Sequence, residues 1–308
     1  MDITGNCHVL RGVAGTASVT VVDSSVTTFG AATVVVTAHD GTTVEASTAA
    51  TGAGGSGATG ATYTFRLSAT DTAKLDILSL AWTIQVDGVP ETVTTYAEVI
   101  GSYIFSIAEA RAFDRGQLAN AATYPDSDIA AARLLITDAF QDICTTAFVP
   151  RYGESFIRHD GGFSAGDYGG WYQWSPVDRP EILMPYPFIR ALREVAVSYW
   201  AQDWVVQDLT AMGPVELTDE GLIRGIFPHG FLRIRYEHGM DKVPAAIHKA
   251  ALQVLLLEMI PDNLPERASS YELNGNVYRI SMPDGVRKWY GIPTVDSVLS
   301  RYAFVNIG

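Results

Sequence analysis

The hydrophobic pattern changes period once along the chain, near residue 100, and that change limits the fold more than any other feature. From Cys7 to Ile100 apolar residues alternate with polar ones, Val and Thr dominate, and turn residues recur at short intervals. Such spacing predicts an antiparallel β-sandwich over residues 1–101. Leu80, Trp82, Ile84 and Val86 share one face of a strand while Ala81, Thr83 and Gln85 share the other. Asp87-Gly88 then predicts a tight turn into 89–93, and Asp40-Gly41 a hairpin joining 33–39 to 42–46. Every residue from Ala46 to Thr62 is Ala, Ser, Thr or Gly. That stretch predicts a loop, because its side chains bury too little apolar area to offset the entropy of ordering.

After Gly101 the period becomes that of a helix. Ser106 followed by Glu109 fits a capping box and predicts a helix over about 106–118. A longer one is expected over 125–146, with Pro125 in its first turn, Asp126 and Asp128 complementing the dipole, and Ile129, Ala132, Ile136, Phe140 and Ile143 on one stripe. Further helices are expected over 244–260, apolar on more than one side, and over 294–302. The first long helix should pack on the 244–260 helix. Between them, 151–240 reads as a β-rich insertion, with strands best marked at 181–184, 195–199 and 231–236, and Asn274-Gly275 marks one more hairpin. The expected class is a multidomain α+β protein, with a β-sandwich over 1–101 and a helical core over 102–308 that carries the insertion.

Charge narrows the function. The net formal charge is −13, with 3 basic and 9 acidic side chains in residues 1–100 and 18 and 25 in the remainder. Both parts are therefore acidic, which argues against holding nucleic acid by its phosphates or binding an anionic membrane. Cys7 and Cys144 are too few for a thiolate zinc site and allow at most one disulfide, as in a chain made in a reducing compartment. The first ten residues lack the basic-then-apolar pattern of a signal peptide, and 245–260, the most apolar stretch, is interrupted by His248, Lys249, Gln253 and Glu258.

Several motifs imitate chemistry. Gly52 to Gly57 has dinucleotide-fingerprint spacing, but the segment after it reads as a strand, with no helix N-terminus to meet a pyrophosphate. Gly162-Phe163-Ser164-Ala165-Gly166 matches a nucleophile elbow, yet it leads into Asp167-Tyr168-Gly169-Gly170, which cannot start the helix an elbow needs. The six histidines, at 8, 39, 159, 229, 238 and 248, form no pair four apart on a helix. Asp40 and Asp87 precede glycines and read as turn formers. Tyr168, Trp171, Tyr172 and Trp174, in a glycine-rich loop, form an aromatic cluster suited to an interface or to stacking on a sugar ring. No catalytic, cofactor or metal site is expected.

Four blocks carry a resemblance. They are Tyr124-Pro125-Asp126 with 129–140, Cys144 and Phe148-Val149-Pro150-Arg151; Leu232 to Gly239 with Val243-Pro244; Ile247 to Leu257; and Gly291-Ile292-Pro293-Thr294-Val295-Asp296-Ser297-Val298-Leu299-Ser300-Arg301-Tyr302. In this order they resemble the head-to-tail connector, or adaptor, proteins of long-tailed bacteriophages, over about 103–308. The sandwich resembles immunoglobulin-like modules placed before this core in some actinobacterial phages. The resemblance implies a virion protein of the head–tail neck, assembled in the host cytoplasm. It also implies a ring of about twelve copies docked under the portal protein, receiving a stopper or tail-completion protein, with DNA passing through the lumen. The acidic balance suits a conduit that must not grip phosphates. A cyclic ring makes each interface heterologous, so two different faces of the subunit must be adhesive.

On this reading the sandwich folds alone and decorates the ring, and the less apolar face of the 125–146 helix, with Arg133 and Gln141, meets a neighbour. Val295, Leu299 and Tyr302 of the last helix, with Phe304 and Val305 in the apolar tail beyond it, are the expected portal contacts. The rival expectation is a carbohydrate-binding virion or secreted β-sandwich protein, resting on the Trp171 and Trp174 loop.

Overall fold

The computed structural model describes residues 2–53, 55, 60–159, 181–198, 203–210, 212, 214–225, 227–228, 230–260, 270–273, 276–279 and 289–303. The chain divides into two compact units, Met1–Tyr103 and Ile104–Gly308.

The first unit is all β. Its strands are β1 (Asp2–Thr4), β2 (Cys7–Leu10), β3 (Gly15–Val22), β4 (Phe29–Thr37), β5 (Thr43–Ala49), β6 (Thr51–Ala53), β7 (Ala61–Leu67), β8 (Asp76–Val86) and β9 (Val89–Ile100). They form two sheets, ordered β1-β3-β7-β6 and β2-β9-β8-β4-β5. All pairings are antiparallel except that of β2 with β9, which is parallel. Alternate residues of both sheets meet in one core, Val19, Val21 and Tyr63 from one and Val34, Leu80, Trp82 and Val99 from the other. The Trp82 indole N–H, inside this core, donates to Thr95 Oγ1 at 2.8 Å. The β8–β9 turn has Asp87 at φ 48° and Gly88 at φ 83°, both positive as a two-residue hairpin with this twist requires. The Asp87 carboxylate accepts from the Thr28 amide at 2.7 Å and the Thr27 amide at 3.1 Å.

The small-residue stretch differs from the expected loop. Residues 43–49 pair with β4, the Ala50 amide donates to Ala32 O at 2.9 Å, and 51–53 then pair with β7 in the other sheet. β5 and β6 are edge strands held by backbone hydrogen bonds, a position that asks little apolar burial of their side chains. Gly52 lies against Tyr63, where a Cβ would come within 2.6 Å of Thr62 O. Close strand approach explains that glycine, and the fingerprint reading falls away; Gly54, Ser56 and Gly57 lie outside the described residues.

The second unit begins with α1 (Ile107–Ala112) and a 3-10 turn (Asp114–Gly116), followed by α2 (Asp126–Cys144). The Ser106–Glu109 capping box is present. The helix is shorter than 106–118 because Phe113 is extended and Asp114, Arg115 and Gly116 all have positive φ. Pro125 caps α2 rather than opening its first turn. Then follow β10 (Arg151–His159), β11 (Glu181–Leu183), β12 (Ile189–Ser198), β13 (Val205–Val206), β14 (Glu216–Leu217), β15 (Leu222–Arg224), β16 (Gly230–His238), α3 (Ala245–Met259), β17 (Ser270–Leu273), β18 (Asn276–Arg279) and α4 (Pro293–Tyr302).

Ile129, Ile136, Phe140, Phe148 and Val149 pack with Ile247, Ala251, Val254 and Leu255 of α3 and Val295 and Leu299 of α4 in one apolar cluster. The insertion has its own core. Sheet β10-β16-β12-β13 turns Val195, Val197, Leu232, Ile234 and Tyr236 toward Ile182 and Ile223 of the small sheet β11-β15-β14. β10 escaped the pattern reading because its inward positions are Gly153, Ser155, Ile157 and His159. The Tyr236 ring fills the space instead: a Cβ on Gly153 would meet it at 2.8 Å, and Ser155 Oγ lies 3.1 Å from its hydroxyl. Burial pushes that phenol up to about 12.

Candidate interaction surface

The side chains of β10, β12 and β16 that point away from the inner core form the most organised surface of the second unit. Registers Glu154↔Arg235, Phe156↔Arg233 and Arg158↔Phe231 set β10 against β16, and Glu194↔Arg235, Ala196↔Arg233 and Ser198↔Phe231 set β12 on its other side. Alternation therefore places one row of charge, Glu154–Arg235–Glu194, beside two rows that each set one phenyl against one guanidinium.

The charges pair as a grid. Arg235 Nε donates to Glu154 at 2.9 Å and its Nη1 to Glu194 at 3.1 Å, while Arg233 Nη2 donates to Glu194 at 2.7 Å. Arg193 pairs with Glu237 at the end of the strand. On this face the described strands set four arginines (158, 193, 233 and 235) among three glutamates (154, 194 and 237). The side chains of the Arg233, Arg235, Glu154 and Glu194 grid are only 11–21% exposed, and their shared partners fix one another's positions.

Beside the grid, Phe156 is 64% and Phe231 50% exposed. The Trp204 ring lies 5.7 Å from Phe156, with the Arg233 guanidinium 5.2 Å from its centroid, and Arg158 sits 6.0 Å over Phe231. Phe156 and Arg158 on β10 face Arg233 and Phe231 on β16, a two-by-two checkerboard of phenyl and guanidinium. Strand β16 announces this outer row as Phe231, Arg233, Arg235 and Glu237 alternating with apolar residues.

The residues expected at interfaces fall elsewhere. Arg133 is buried, and its Nη1 donates to Phe105 O at 3.3 Å, so it holds α2 to the chain ahead of α1 rather than facing a neighbour. Gln141 is half-buried and accepts from Arg151 Nη1 at 2.6 Å. Val295 and Leu299 are fully buried in the subunit's own core, and Tyr302 sets its ring edge-on to Phe148 at 5.7 Å. Helix α4 is thus spent on intramolecular packing. Phe304, Val305, Ser164, Tyr168, Trp171, Tyr172, Trp174 and His229 lie outside the described residues.

Burial pushes the Cys7 thiol up to about 11 and Cys144 to about 12, opposite to what a thiolate nucleophile needs. His238 stacks on Tyr186 at 4.6 Å within the insertion, and His8 lies 3.2 Å from Glu98 within the first unit.

No protein-family model matches the chain, and no curated protein matches it. Among solved structures, it is similar to a chain in the neck of an empty GTA particle computed with C6 symmetry, at 13% identity and TM-score 0.42, over 67% of this chain and 92% of that one. It is also similar to a family 123 glycoside hydrolase from Clostridium perfringens, at 10% identity and TM-score 0.22, over 32% of this chain and 23% of that one. The chain thus spans less than a quarter of the hydrolase's length.

Proposed function

We propose that this chain is a structural neck protein of a phage-like particle, a head-to-tail connector whose copies close into a ring between the portal and the tail-side proteins. One observation carries the reading. Three of the four sequence blocks that resemble connectors are scattered from Tyr124 to Tyr302, yet their apolar members, Ile129, Ile136, Phe140, Phe148, Val149, Ile247, Val254, Val295 and Leu299, share a single core; the fourth adds Val243 at its edge, while its Leu232, Ile234 and Tyr236 pack in the insertion. That shared core supports reading those three blocks as parts of one folded module. Its role here is architectural, with about twelve copies around a lumen for DNA and the β unit as an appended module.

Purified full-length protein, imaged by negative stain and weighed by mass photometry, tests this directly. Closed rings that are retained by an isolated portal are the expected result. A chain that stays monomeric at every concentration and is not retained by portal overturns the proposal.

A further inference from the structure

Leu135 stands 67% exposed midway along α2, on a helix whose Ile129, Ile136 and Phe140 are buried. Ala131, one turn before it, is exposed as well. Asp128 and Asp142 lie seven residues to either side and Asp138 three residues beyond, all on the Leu135 stripe. Asp138 is engaged at 2.9 Å by Arg151 of the same subunit, which leaves an exposed leucine with Asp128 and Asp142 at its two ends. The checkerboard of Phe156, Arg158, Phe231 and Arg233 is its converse, an exposed apolar patch edged by guanidinium groups.

We propose that these two surfaces are the halves of one contact between successive copies of this chain. Leu135 and Ala131 of one copy seat on the Phe156 and Phe231 rings of the next, with Asp128 and Asp142 directed at its arginine-edged rim. The inference rests on the ring reading and names the interface that reading needs. Charge selects a second copy as the occupant, since an aliphatic knob with acidic ends complements aromatic rings edged by the Arg158 and Arg233 guanidinium groups. The two surfaces also differ and lie on the same chain, as a head-to-tail ring contact demands. Aromatic side chains and arginine are enriched at such interfaces.

Leu135→Asp and Phe156→Asp test it in the full-length protein. Both side chains are more than half exposed, so melting temperatures should match the parent's. Each variant should lose ring formation, with self-association weakened at least about tenfold. Mixing the two should restore a one-to-one complex and no ring, because each still carries the face the other lacks. Arg158→Asp alone and Asp142→Arg alone should weaken assembly, and the double swap should recover it. Rings from the parent that persist in both aspartate variants overturn this interface and leave the ring reading standing. A parent that never self-associates overturns both.

Discussion

The Asp296 carboxylate, fully buried in the first turns of α4, accepts from the Gly291 amide at 3.0 Å. It also accepts from the Tyr290 amide at 3.0 Å and the Trp289 amide at 3.2 Å. One side chain thus folds the approach to the helix back against it. Asp296→Ala leaves three amides without their acceptor and should destabilise the second unit by about 3 kcal/mol or more. Asp296→Asn keeps one acceptor oxygen and should cost less. Chemical denaturation of the three proteins checks the order, and equal stability of parent and alanine variant would refute it.

Arg133→Glu should unfold the second unit and not merely loosen assembly. The guanidinium is buried against Phe105 O, and a carboxylate there would face an acceptor from within the apolar cluster. Circular dichroism should show loss of helix. A folded variant that fails only in self-association would return Arg133 to the surface role its helix position suggested.

Gly239 has φ 102°, and a Cβ there would meet Val149 O at 2.2 Å. Its amide donates to Phe188 O at 3.0 Å and the next amide, of Met240, donates to Ala147 O at 3.1 Å, so the turn ties the insertion to the segment leaving α2. Gly239→Ala should cost more than about 3 kcal/mol, because strain and clash act at backbone that cannot yield cheaply. A thermal melt within a degree or two of the parent's would contradict this.

The Ser106–Glu109 box has a pH signature. The hydrogen bond from the Ser106 amide, with the one from its hydroxyl, holds the Glu109 carboxyl below its ordinary value. A carboxyl depressed in the folded state stabilises at pH above its unfolded value, and that contribution fades as pH falls through the folded one. Ser106→Ala should cost about 1 kcal/mol at neutral pH, with the gap to the parent narrowing toward about pH 3. Melting curves across that range decide it; a gap that widens on acidification counts against the assignment.

How much of this the sequence disclosed depended on whether a residue's partner was near in the chain. Ser106 and Glu109, Asp87 and Gly88, and the stripe from Ile129 to Phe140 are local patterns, and each appears where local physics places it. The Asp296 clamp also lies within eight residues, but it reads as a first-turn acid until the fold brings 289–291 beneath it. β10 was illegible because its inward positions are small or polar to admit Tyr236, a residue eighty positions away. Arg133 misled for the same reason, since a charged residue on a helix signals solvent unless a distant carbonyl is known to await it. The checkerboard needed register, which no single strand contains: Phe156 and Phe231 become neighbours only when β10 meets β16.

The parallel pairing of β2 with β9 sets how the first unit bears tension. Cys7–Leu10 lies beside Ala97–Ile100 with both strands running the same way, so the leading end of one and the chain's exit from the other sit at opposite ends of the ladder. Pulling on the chain at those two points slides the strands along each other and loads the whole rung set together. An antiparallel pair gripped at its open end would instead peel one bond at a time. Between Cys7 and Ile100 the first unit therefore meets traction in shear, across the four paired residues of the β2–β9 ladder.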